Sequence, residues 1–181
     1  MLSISQKQGN PFTENEYRDR LLPIGDLYYS ATTGGIFMSE SEIDLVAATE
    51  KGDGVSVLRM TDACRNWNGI QYQIGISGKN VGAKKLSMNV ASIPPNGVAR
   101  AHIHVDFEVM LYILEGHVRH EYGPGCKTIV ENHAGDFIFI EPGVPHEVFN
   151  MSETEPVVAV VARSDASEWD NIIPYDRTRP S

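Results

Sequence analysis

The chain has 181 residues, 41% of them hydrophobic, 8% aromatic and 22% charged, which suits one globular domain with a sizeable core better than two. A net charge of −9 repels phosphate backbones and anionic lipid, so neither nucleic acid nor a membrane is an expected partner. The opening residues carry no basic-then-apolar leader and no apolar run is long enough to span a bilayer, so a cytoplasmic location is expected. Two cysteines, Cys64 and Cys126, are too few for a disulfide framework and are expected as reduced thiols, neither metal ligands nor nucleophiles.

Residues 1–54 read as an N-terminal extension. Residues 1–12 are a polar arm, and Thr13 with Glu16 has the spacing of a capping box for a short helix that stops before Pro23; an irregular polar segment fits as well. Residues 41–52 fit either a helix ended by Gly52 or a strand plus turn. From residue 55 the texture changes to short apolar runs punctuated by Gly, Pro, Asn and Asp. The pattern predicts strands near 55–60, 70–76, 85–93, 98–104, 108–114, 117–122, 127–131, 137–140, 146–150 and 156–163, an all-β sandwich or barrel over 55–165. The polar tail, 166–181, is expected to wrap the surface.

The segment leading into Glu108 reads Arg100-Ala-His102-Ile-His104-Val-Asp-Phe-Glu108. Two histidines at i and i+2 on a strand share a face, and a turn after His104 can bring Glu108 back towards them. A second segment, Gly135-Asp-Phe-Ile-Phe-Ile-Glu-Pro-Gly143-Val-Pro-His146-Glu-Val-Phe-Asn150, reads as a buried strand followed by a rigid turn that presents His146. Imidazoles and a carboxylate converging in a dry interior suit a divalent metal. His120 alternates with Val118 and Tyr122 on the core-like face of its strand, whereas His117, Arg119 and Glu121 form a solvent-like set, and His133 also reads as a surface residue. Tyr112 shares parity with Glu108, and Arg100 with the two histidines, so each could line a cavity: Tyr112 and His120 to move protons, Arg100 to clamp a carboxylate.

These two segments resemble the paired motifs of the cupin superfamily, Gly-x(5)-His-x-His-x(3,4)-Glu-x(6)-Gly and Gly-x(5)-Pro-x-Gly-x(2)-His-x(3)-Asn, here over residues 84–163 with 18 residues between Gly116 and Gly135. The resemblance implies a double-stranded β-helix (jelly-roll) barrel with His102, His104, Glu108 and His146 at the metal-ligand positions. The sequence departs from the pattern in three places. Four residues separate Gly97 from His102, seven separate Glu108 from Gly116, and Glu141 stands at a proline position. Counted back from Gly116, the ligand position falls on Val109; a bulge or a shorter turn restores Glu108.

Such a site implies a metal-dependent oxidoreductase, a dioxygenase acting on a small organic substrate, holding one divalent transition metal per chain, Fe(II) ahead of Mn, Ni or Zn. A non-redox isomerase, lyase or cyclase, and a cupin that binds a small ligand without turning it over, are the alternatives. A homodimer with the N-terminal region in its interface is expected, since barrels of this kind leave sheet edges and an apolar outer face to cover.

Overall fold

In a computed structural model of the chain, residues 44–59, 63–167 and 169–178 are described, all within one compact unit spanning Ile36–Ser181. The expected helix after Thr13 lies outside the described residues. Residues 45–48 form a turn leading into β1 (Thr49–Lys51), which pairs with β2 (Ser56–Leu58), so the strand-plus-turn reading of this stretch holds.

Eleven further strands build the barrel: β3 (Cys64–Trp67), β4 (Ile70–Ile76), β5 (Ser87–Ile93), β6 (Val98–His104), β7 (Val109–Glu115), β8 (His117–Tyr122), β9 (Thr128–His133), β10 (Phe137–Ile140), β11 (His146–Asn150), β12 (Val157–Arg163) and β13 (Ile172–Pro174). They form a six-stranded sheet in the order β10-β7-β12-β5-β4-β3 and a five-stranded sheet in the order β13-β6-β11-β8-β9, with antiparallel pairing throughout. The β-branched run Val157-Val-Ala-Val-Val-Ala sits near the centre of the larger sheet, where such side chains pack best. Non-local antiparallel order of this kind, closed around an interior, is the double-stranded β-helix.

The core lies between the sheets. Its main cluster holds Ile70, Tyr72, Ile93, Ile113, Val118, Val157 and Trp169, and a second cluster of Phe107, Val109, Ile140 and Val161 closes the end that carries the histidines. Gly116 makes the β7–β8 turn at φ +93°, and a Cβ there would meet the Val157 side chain at 2.8 Å, so this motif glycine has no substitute. Asn150, the last motif residue, spans a gap between loops: its Nδ2 donates to the carbonyls of Ile93, Pro94 and Glu155 at 3.1, 2.9 and 2.8 Å.

The tail departs from expectation. Besides wrapping the surface, it adds β13 as an edge strand beside β6; Pro174, which cannot donate to a ladder, is tolerated because the strand is at an edge. From the tail, Arg177 donates to Glu121 at 2.7 Å and pairs with Glu147, and Arg119 also reaches Glu121 at 3.0 Å. Glu121, expected in solvent, is therefore 8% exposed under this cover. Both cysteines are free.

Candidate metal centre

Strand β6 delivers two of the site's side chains and β11 the third. His102 and His146 are direct cross-strand partners, their ring centroids 4.2 Å apart, and His104 lies 5.0 Å from His102 and 4.8 Å from His146. All three are buried, and one ring nitrogen of each falls within 4.8 Å of the others. Backbone carbonyls fix two of the rings. His102 Nδ1 sits 2.8 Å from the carbonyl of Arg100 and His146 Nδ1 sits 3.0 Å from that of Val144. An imidazole that donates through Nδ1 keeps Nε2 as a bare acceptor, and the second hydrogen bond orients it. Asn68, on the β3–β4 turn, holds the Arg100 carbonyl from the other side and reaches His102 Nδ1 at 3.3 Å.

Burial pushes His102 down to about 3, helped by the positive charge His146 would carry, and pushes His120 down to about 4. Burial also holds His104 and His146 well below the usual imidazole range. At neutral pH the cluster is therefore a set of unprotonated nitrogen donors, which is the state a metal needs. His104 Nδ1 is buried without a hydrogen-bond partner, a cost that makes sense for a group built to meet something else. Three converging neutral imidazoles fit a divalent transition ion.

The histidines line a cavity of about 80 Å³ whose remaining wall is mostly apolar, with the Arg163 guanidinium as a polar exception. A groove of about 570 Å³, lined by Tyr122, Val130, Asn132, Phe137–Glu141 and Val144, leads from the surface. Groove and cavity share four residues, His120, His146, Ile138 and Ile140. The groove therefore borders the cavity at two imidazoles and two isoleucines.

The structure brings His120 to this cavity, 4% exposed, with its ring 5.5 Å from His146. It does not bring Arg100, Tyr112 or Glu108 there. The register of β11 against β6 slips between His146 and Val148, whose partners are His102 and Ala99, so β6 carries one extra residue at Arg100-Ala101. That bulge breaks the parity on which Arg100 was placed, and its side chain is exposed on the outside. Tyr112 and Glu108 do share a parity, but it is the outer one. Val109, Leu111 and Ile113 line the cavity, while Tyr112 packs on Phe137 at 4.5 Å on the outer face. Glu108 is exposed, with its backbone N–H held by Ser164 Oγ at 2.9 Å. The bulge anticipated in β7 exists, at Leu114, where Val158 and Ala159 pair with Glu115 and Ile113. It leaves Val109 inside. Asp106, at φ 61°, turns the chain so that Phe107 enters and packs 5.2 Å from His104, and Glu108 follows on the opposite side. Phe107 and Asn68 escaped the sequence reading, although Asn68-Gly69 is a turn signal between two strands. His117, Glu131 and His133 form a second group of donors on the rim of β8 and β9, partly exposed as expected for the two histidines.

The sequence profile of the cupin domain matches residues 89–163. No functionally curated protein is similar to the chain. Among solved structures, the chain is similar to the formate complex of oxalate decarboxylase from Lactobacillus farciminis (20% identity, TM-score 0.53, 61% of this chain and 32% of that one). It is also similar to an uncharacterised protein with a double-stranded β-helix domain from Klebsiella pneumoniae (18% identity, TM-score 0.50, 62% and 90%). A third likeness is to oxalate decarboxylase from Bacillus subtilis, studied for its Mn(II) centres (18% identity, TM-score 0.51, 60% and 29%). The chain spans about a third of the length of the two decarboxylases. The strand order, the paired motifs and the profile agree: residues 89–163 form a cupin domain.

Proposed function

We propose that the chain is a metal-dependent cupin enzyme acting on a small organic substrate, with His102, His104 and His146 as protein ligands of one divalent transition ion and an O₂-using oxidation as its reaction. The observation that carries this reading is the convergence of three buried imidazoles on a cavity that borders a surface groove. The ion would supply Lewis acidity towards a substrate oxygen and, as iron or manganese, electron exchange with O₂. The chain's own part is positional. The carbonyls of Arg100 and Val144 aim the Nε2 atoms of His102 and His146 inward, and Val109, Ile138 and Ile140 keep bulk water from the donors.

The test is reconstitution with Fe(II), Mn(II), Ni(II) and Zn(II) followed by elemental analysis. About one ion per chain is expected in the wild type and far less in His102→Ala and His146→Ala. Full occupancy in both variants overturns the ligand set. Oxygen uptake by the iron or manganese form during turnover of a small substrate supports the dioxygenase reading; turnover without uptake moves the chain to the isomerase, lyase or cyclase class.

A further inference from the structure

Resting on that ligand set, we infer that the ion is held by nitrogen alone, with His120 as the fourth donor in place of Glu108. Three observations lead there. First, Glu108 faces solvent, and the position that faces the cavity beside it holds Val109, 1% exposed and without a donor atom. Second, the wall of the histidine cavity contains no carboxylate among the described residues. Third, His120 points inward from β8 and its Nε2 is buried with no hydrogen-bond partner. An imidazole nitrogen left bare in an apolar wall costs free energy comparable to a lost hydrogen bond unless something occupies it.

The register makes the approach short. β11 lies between β6 and β8, pairing His146 with His102 on one side and Val148 with His120 on the other, so His120 is one diagonal step from His146. Its donor stands outside the tight group of three, and closing on the ion requires the ring to swing towards His146 into the intervening cavity. Rotation about the terminal torsion of a histidine is soft, and the buried Nε2 makes no hydrogen bond that would hold this ring back.

The chemical consequence is charge. Four neutral imidazoles leave a divalent ion with both of its charges, where a carboxylate ligand would cancel one. The guanidinium of Arg163 in the same wall adds to that potential. The centre therefore selects a small anionic ligand, a carboxylate or an enolate, as its exogenous partner.

The experiment uses Cu(II) alone as probe, in a His133→Ala background that disables the rim cluster. Affinity is measured by competition with a chelator, and the number of coordinated nitrogens by electron paramagnetic resonance. The expected result is four nitrogens, one fewer in His120→Gln with affinity weaker by at least about tenfold, and an unchanged spectrum and affinity in Glu108→Gln. Circular dichroism establishes that each variant is folded, and the Glu108 arm does not depend on the fate of His120. The inference is overturned if Glu108→Gln loses tenfold or more, or if folded His120→Gln matches its parent. If His102→Ala in the same background binds as its parent does, the three-histidine reading itself falls, and this inference with it.

Discussion

At Asn150, one amide group is shared among three carbonyls from the loops after β5 and β11, and its Oδ1 accepts from the backbone N–H of Ser152 at 2.9 Å. Asn150→Ala leaves buried carbonyls without a donor and should lower unfolding free energy by about 3 kcal/mol, read from urea denaturation. Asn150→Asp should be worse than alanine, because it aims a carboxylate at the same oxygens. The cavity histidines set a pH dependence at the same scale. His102 and His120 are pushed below their ordinary value in the folded chain, to about 3 and about 4, so the unfolded chain binds more protons between that range and about pH 6.5. Stability of the metal-free protein therefore falls as pH drops below about 6.5, by up to about 2 kcal/mol per buried histidine at pH 5. Thermal melts at pH 7.5 and 5, with and without bound metal, measure it; a flat profile in the metal-free protein would contradict the neutral cluster.

Strands and turns separate what could be read in the sequence from what could not. The alternation of β6, the apolar runs of β10 and β12 and the Pro-Gly turn before His146 announce themselves locally, and with them came the barrel and three of the donors. Glu108, Arg100 and Tyr112 depended on register. A single extra residue in β6 turns Arg100 outward, and the left-handed turn at Asp106 decides between Phe107 and Glu108; spacing alone cannot tell which residue a strand leaves unpaired. Strands β3 and β13 were missed because neither alternates cleanly and each is recruited by its neighbour in the sheet. The last residues carry a test of that recruitment. Arg177 covers Glu121 and Glu147, two carboxylates on adjacent strands. Arg177→Met should cost about 1–2 kcal/mol, and Glu121→Gln in addition should return part of the loss, because the uncovered charge is then gone. An additive double variant would show that the pair is solvated and idle.

Taken whole, the molecule has an unusually apolar outer wall on its larger sheet. Phe137 is 83% and Phe139 52% exposed on β10, and Met110 on the adjacent β7 and Met88 on β5, beyond β12, stand at 55% and 47%. A face of this kind is what a sheet-on-sheet partner would cover, and a homodimer through it is expected. Sedimentation should find twice the chain mass at micromolar concentration, with Met110→Glu returning the monomer; a wild-type monomer would refute it. A ligand that enters the cavity from the bordering groove would meet a sieve. The inner chamber, about 80 Å³, admits the head of a ligand, while the groove, about 570 Å³, takes whatever trails behind it. Bulk should therefore be tolerated by distance along the molecule rather than by total size. A straight-chain carboxylate should perturb the spectrum of a bound ion, and pivalate, branched next to its carboxyl group, should leave it untouched.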